Sequence, residues 1–493
     1  MLGRQQAARI ARVAAPTCLA VVLLVDLTWW MMSGPAPLRI LGVDLPAGRF
    51  EAEAALAALL SVGALVLGGG LRTRGGPPLA AAGLTAAVLL ANTLPMGSGD
   101  TVPATFLPFA LVREGRLTFE SAGLDEPLGV HGGSPPYYLV RAGPRLASKY
   151  SPAMGVLATP IYLPAVLGRF DPGQSPVLHL GKLAAALLTA LGTGCLFAAA
   201  RHLVGAGWAW IATALHVLAT PVLTVIGQAL WQHTGAALGL SIALLALTLS
   251  AREPRTVGVL AGAGLGLTVV CRPVDVLLAL GVAVSILRER RRAVPWMVVT
   301  ALVPVLFLGI YQWRVFGTPL ATGYGAEARE GWTTPLPEGL LGLLVSPARG
   351  LFLHAPVLLL ATGALLRGSR APRWLVPPVL AFVLFTVVMA HWWAWSGAYS
   401  AGNRMLSDAL PILSLTMACG LPAVWSIRVL RGPVVLLALV SVATAAALAF
   451  VRPGREFREV VLELKAGPWV ATGHPLVALT RQLRGRTEGQ ATR

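Results

Sequence analysis

The residues best placed to do chemistry begin with an aspartate on a glycine-rich turn, Gly97-Ser98-Gly99-Asp100-Thr101-Val102-Pro103. It stands just past an apolar run, and the glycines let another molecule approach the backbone closely. Asp100 therefore reads as a general base at the mouth of a helix bundle. An aspartate here also reads as a cap for the helix beginning at Pro103, and position alone leaves both readings open. The cations form the second group. The chain uses arginine almost throughout and has three lysines, Lys149, Lys182 and Lys465. Lys149, in Ser148-Lys149-Tyr150-Ser151-Pro152, and Lys182, near the start of an apolar run, are candidate phosphate contacts. Arg349 in Ser346-Pro347-Ala348-Arg349-Gly350 and Arg404 in Gly402-Asn403-Arg404 join them, because a guanidinium grips a phosphate in two-pronged fashion. Snorkelling and headgroup anchoring are the plainer uses of such side chains. Tyr150, His233, Tyr324, Trp393, Trp395 and Asn403 complete a candidate substrate-binding set. The tryptophans of His391-Trp392-Trp393-Ala394-Trp395 serve equally as an interfacial belt or as flanks for a sugar or isoprenoid, and Trp231-Gln232-His233 also reads as a turn closing a helix hairpin.

The elements that must carry these residues are membrane helices. Of 493 residues, 56% are hydrophobic and only 12% charged, with a mean hydropathy of +0.71. Soluble domains average roughly 25% charged residues, so an ordinary water-soluble protein is excluded. Apolar runs near 13–32, 53–71, 79–96, 177–200, 208–226, 233–250, 256–270, 273–287, 294–312, 351–366, 374–391, 405–425 and 433–451 predict an all-α polytopic membrane protein of about thirteen spans. Residues 1–78 would hold two N-terminal helices, 79–451 the core, and 452–493 a basic tail without a readable fold. The net charge of +18 sits mostly in short connections between apolar runs, as orientation signals do, and gives no reason to invoke nucleic acid. Counting the block 152–168 as a re-entrant or interfacial helix puts Arg72 and Arg74, Arg201, Arg252 and Arg255, Arg288 to Arg292, Arg367 to Arg373, and Arg428 with Arg431 on the side of the N-terminus. Counting it as a span would turn every later basic cluster outward. The N-terminus is then expected inside and the C-terminus outside, with 97–176, 313–350 and the tail on the outer face. A helix from Pro103 to Glu114 is expected to lay Phe106, Leu107, Phe109 and Ala110 on the membrane surface.

Several chemistries lack their residues. There is no D-x-D, no P-loop, since Gly181-Lys182 is followed by Leu183, and no H-E-x-x-H. The eight histidines do not cluster at ligand spacing, and Cys18, Cys195, Cys271 and Cys419 show no pairing, so neither zinc nor disulfides are expected. No cofactor is required by this reading, although Glu120, Asp125 and Glu126 would be the ligands of a divalent metal if one took part.

The order of these features resembles the polyprenyl-phosphate-sugar-dependent GT-C glycosyltransferases. It runs from a first-loop Asp, through Ser-Lys-Tyr-x-Pro leading into a re-entrant helix, a Lys opening the next span and Ser-Pro-x-Arg-Gly-Leu-Phe, to a Trp-rich turn ending in Gly-x-Arg. The look is closest to bacterial integral-membrane relatives of protein O-mannosyltransferases and lipid A aminoarabinose transferases, and it covers roughly residues 79–430. The resemblance implies a GT-C-like bundle in a bacterial inner membrane, with Asp100 as the catalytic acid and Lys149, Lys182 and Arg404 as donor-phosphate contacts. It also implies a polyprenyl-phosphate sugar as donor and a lipid, glycan or protein as acceptor. The Asp lacks the following Glu of many relatives, and two extra spans precede its helix. The chemistry is consistent: a phosphate leaves as a stable anion, so cations can replace the acid a glycosidase needs, and one carboxylate suffices to deprotonate an acceptor hydroxyl with inversion. A lipid or polysaccharide transporter and an O-antigen ligase or polymerase are the competing readings. Asp26 and Asp275 are the acidic residues within or near spans that a transporter would use, and Arg272 is positioned to pair with Asp275.

Overall fold

The computed structural model describes residues 16–21, 23, 24, 27, 39, 40, 43, 44, 49–92, 96–120, 124–131, 133–168, 170–173, 177–249, 252–451 and 454–491. The expected first span lies largely outside these residues, and so does Asp26. Among the described residues seven helices are long and apolar enough to cross a membrane, and six more apolar helices run 10–17 residues. The extended structure described consists of two short antiparallel pairs and an isolated bridge between His131 and Ser134. The chain is an all-α, multi-pass membrane protein.

It divides into two compact units, one made of 1–198, 227–238 and 306–324, the other of 199–226, 239–305 and 325–493. In the first, α1 (Arg49–Leu67) packs on α2 (Gly76–Ala91), whose first turn holds Pro77 and Pro78 where no backbone donor is needed. Then α3 (Val102–Glu114) packs on α4 (Ala153–Leu167). A side chain at Gly155 would lie 2.6 Å from Leu107 Cβ, so the two backbones approach as only glycine allows. This corrects the expected surface role of α3: Phe106, Leu107, Phe109 and Ala110 are 1–6% exposed, because their apolar stripe is covered by protein. Helix α3 stops at Gly115 (φ 67°), whose N–H reaches back to Ala110 O and Leu111 O. Fifteen residues make α4 only about 22 Å long, short of a ~30 Å hydrocarbon core. Helix α5 (Val177–Val204), at 28 residues, crosses easily.

The strands β1 (Leu139–Ala142) and β2 (Arg145–Ser148) form a hairpin in this unit, with Leu139 opposite Ser148 and the turn at Gly143-Pro144. Its open end carries Tyr137, Tyr138, Lys149 and Tyr150.

The remaining helices are α6 (Ala206–Leu218), α7 (Gln232–Thr248), α8 (Pro254–Cys271), α9 (Val276–Glu289), α10 (Val294–Phe316), α11 (Leu336–Val345), α12 (Val376–Ala390), α13 (Leu410–Ser426), α14 (Arg431–Phe450) and α15 (Pro475–Ala491). In the second unit α9 packs on α12, α11 on α12, α6 on α13 and α15 on α14. Two expected spans are interrupted. The run 208–226 gives α6 and then a separate wide-turn segment, Val222–Ile226. The run 351–366 breaks at Ala355, before Pro356 begins a tight helical stretch to Leu365; proline's missing N–H and its ring account for the break. The tail is folded: Arg455–Phe457, Arg458–Leu462 and α15 give it local structure absent from any apolar pattern.

Candidate functional site

Asp100 sits one residue past the start of the turn that leads into α3. The Ser98 side chain accepts from its N–H at 3.2 Å, and Thr101 N–H closes on Ser98 O at 3.0 Å. Ser98, not Asp100, therefore caps this turn, leaving the Asp100 carboxylate for other work. Two tyrosines use it. Tyr150 OH donates to Asp100 Oδ1 at 2.6 Å and Tyr137 OH donates to the same oxygen at 2.8 Å. The hairpin explains why both reach it. Continuing the β1/β2 pairing, Lys149 N–H donates to Tyr138 O at 3.0 Å, which holds the two tyrosine-bearing ends side by side. A side chain on Gly99 would lie 2.6 Å from Tyr137 OH and 2.7 Å from the Tyr138 ring, so glycine at 99 lets the tyrosines close over the turn.

Burial and the Asp100 charge both push the Tyr150 phenol far above its ordinary pKa, so it remains a proton donor to the carboxylate. Its ring meets Tyr324 edge-on at 5.7 Å, and Lys149 Nζ stands 4.9 Å from the centre of the Tyr324 ring. Backbone contact fixes this corner too: a Cβ on Gly323 would fall 2.5 Å from Lys149 Cα. Asp100, Lys149, Tyr150 and Tyr324 are thus brought together within the first unit, each partly exposed. The arrangement supplies an oriented carboxylate, two phenolic donors and an ammonium.

Lys182 is placed differently. It is fully buried in α5, and Nζ donates to Asn92 O, whose side-chain amide in turn bonds Gln228 Oε1 at 3.3 Å. His233 is buried beside Trp231, ring centres 6.4 Å apart. One turn before Lys182, His179 Nδ1 pairs with the buried Glu51 carboxylate of α1, a pair that two residues 128 apart in sequence gave no means to find.

In the second unit Arg349 is 1% exposed, and every N–H of its guanidinium is used on main-chain carbonyls: Ser396 and Ala398, Val461 and Leu462, and Ala348, at 2.8–3.1 Å. A guanidinium so saturated has no donor left for a phosphate, so the structure corrects the phosphate reading of Arg349 to one of tying the tail to two loops. Asn403 is corrected likewise: its Nδ2 donates to Leu343 O and Arg349 O, both at 2.8 Å, and its Oδ1 accepts from Leu406 N–H. Trp395 is buried against Trp469, with Gly342 pressed on its ring. Trp393 is 57% exposed and donates to Glu327 at 3.1 Å. Arg404 crosses Gly397 and keeps partial exposure. The same unit holds a buried ion cluster between the start of α9 and the start of α13. Arg272 Nη1 bonds Asp408, lies 3.4 Å from Asp275, and both carboxylates are fully buried. The Arg272–Asp275 pairing was expected, whereas Asp408, 136 residues from Arg272, was not. Tyr137 was also missed; its signal was the aromatic pair after Pro135-Pro136.

No family description and no curated protein matches the chain. Among solved structures, the apo form of the Archaeoglobus fulgidus oligosaccharyltransferase aligns at 13% identity, over 78% of this chain and 57% of that one, with a TM-score of 0.42. The archaeal oligosaccharyltransferase AglB from Archaeoglobus fulgidus, in complex with an inhibitory peptide and a dolichol-phosphate, aligns over the same shares at 13% identity and a TM-score of 0.44. The chain spans a little over half the length of that protein.

Proposed function

We propose that this protein is a GT-C membrane glycosyltransferase that moves a sugar from a polyprenyl phosphate to an acceptor hydroxyl on a lipid, glycan or protein. The observation that carries the reading is the Asp100 carboxylate held on one oxygen by Tyr137 and Tyr150, with the Lys149 ammonium against Tyr324 in the same cluster. In this mechanism the carboxylate takes the acceptor's proton as the hydroxyl oxygen attacks the anomeric carbon. The phosphate departs on the opposite face as an anion, so the configuration inverts. No acid is needed for such a leaving group; Lys149, in the same cluster as Asp100, is the proposed phosphate contact. The prenyl tail would lie in the bilayer beside the apolar helices. We place the protein in a bacterial inner membrane with the N-terminus cytoplasmic and the C-terminus extracytoplasmic, following the arginine distribution.

The test is transfer from a polyprenyl-phosphate sugar by the full chain in proteoliposomes. Asp100→Asn should cut the rate about 10²–10⁴-fold while leaving donor binding intact. Wild-type turnover by that variant would overturn the assignment. A transporter remains the second reading, favoured by the buried Arg272–Asp275–Asp408 cluster, since ionisable groups among membrane helices mark substrate and ion pathways. It predicts that Asp275→Asn abolishes lipid translocation in the same vesicles and that Asp100→Asn leaves it untouched.

A further inference from the structure

A cavity of about 660 Å³ in the first unit lies where the end of α3, the hairpin turn and the last turns of α10 meet. Arg116, Arg145 and Arg314 face it, with Glu120 as its single acidic side chain. Glu120 is already engaged by Thr118 Oγ1 at 2.9 Å and Leu146 N–H at 3.3 Å, with Arg116 at 3.9 Å, so the lining keeps a formal excess of two positive charges. Arg145 spends one N–H on the main-chain carbonyl of Arg314, near the end of α10, which fixes the Arg145 side chain at the rim. The other wall is apolar, formed by Phe307, Ile310 and Val315 of α10. It continues down a helix whose face is open: Val299, Val303, Leu306 and Ile310 are 55–66% exposed, in a span of mean hydropathy 2.2. Between the two chemistries stands Tyr311. It is 6% exposed and lines the cavity, and its hydroxyl has no hydrogen-bond partner among the described residues. A buried hydroxyl left unbonded costs free energy, and a ligand oxygen would satisfy it.

We propose that this cavity binds the phosphate of a lipid, with the lipid chain lying along α10. The chemistry is that of an anion gripped by guanidiniums and one phenol at the end of a lipid-facing helix opposite the Arg288–Arg292 cluster. A water-soluble anion would have no use for the apolar wall, and a neutral lipid none for the arginines. The proposal stands apart from the chemistry at Asp100. The hairpin nevertheless joins the two places: Arg145 opens β2 at the cavity, and Lys149 follows the same strand four residues later.

The test uses the full chain in detergent micelles with a diazirine-bearing farnesyl phosphate, followed by peptide mapping. Labelling should fall within 307–315, drop at least fivefold in the Arg116→Gln/Arg314→Gln variant, and return with Arg314→Lys. Tyr311→Phe, which keeps shape and charge, should weaken it about 10-fold and serves as the deciding variant if the double change does not fold. Lys149→Ala should leave this labelling unchanged, separating it from any loss at Asp100. Stronger competition by farnesyl phosphate than by dihexanoyl phosphatidic acid assigns a prenyl phosphate, and the reverse a phospholipid headgroup; either supports a lipid phosphate. Labelling indifferent to Arg116, Arg314 and Tyr311, or competition by inorganic phosphate or farnesol equal to that of farnesyl phosphate, would overturn it.

Discussion

The two units each hold carboxylates in polar clusters, and they solve the same problem in opposite ways. Asp100 is partly exposed and is held by neutral donors, Tyr137 and Tyr150, on a turn capped by Ser98. Asp275 and Asp408 are fully buried and share one cation, Arg272. Neutral phenols orient a carboxylate without cancelling its charge, so it can still attract a proton from a substrate. A guanidinium in direct contact with both carboxylates offsets part of their charge, and the cluster ties the start of α9 to the start of α13. The cations divide the same way. Lys149 stands on an aromatic face with exposure to spare, whereas Arg349 is consumed by carbonyls. Residue type alone therefore does not separate a reactive group from a structural one; the nature of its partners does.

The largest effect is expected where buried carboxylates lose the guanidinium they share. Arg272→Met leaves two buried carboxylates facing each other and should cost about 3–5 kcal/mol, read as a lower thermal midpoint in detergent. An unchanged midpoint would mean that the cluster is solvated and would erase the contrast. Asp100→Asn should do the converse: stability within about 1 kcal/mol of wild type, as for a partly exposed site, and transfer nearly lost. A midpoint falling as far as that of Arg272→Met would make Asp100 a structural group after all.

The outline of the fold was readable because hydrophobicity and positive charge act over whole helices. Apolar runs located α5, α8, α10 and α14 within a few residues, and bilayer thickness makes such runs hard to mistake. The breaks were harder. Pro356 is visible in the sequence, yet prolines also stand inside the unbroken helices α4 and α10, so only packing decides which one interrupts a helix. In the candidate site, the local part was legible: Asp100 on its glycine turn and Lys149-Tyr150 beside a proline. The pairing of Tyr137 with Asp100 depends on a hairpin whose register sequence does not reveal, and Arg349 with Asn403 looked like ligands because carbonyls that absorb their donors leave no trace in side-chain identity.

The finer test of the comparison concerns the phenols. Tyr150→Phe removes one of the two donors on Asp100 Oδ1 while leaving the edge contact with Tyr324 and the Lys149 backbone in place. A hydrogen bond to a charged group contributes about 1.5–3 kcal/mol, so transfer should fall roughly 10- to 100-fold, at or below the low end of the Asp100→Asn loss. Tyr137→Phe should cost less, because its bond is longer, 2.8 against 2.6 Å, and Tyr137 is 62% exposed, so water can replace it. The double variant distinguishes orientation from simple polarity. If the tyrosines act by fixing one carboxylate geometry, the loss in the double variant should exceed the sum of the single ones, because either phenol alone still restrains the rotor. Additive losses would mean that each tyrosine merely tunes the charge, and the proposed difference between an oriented and a neutralised carboxylate would shrink to one of burial.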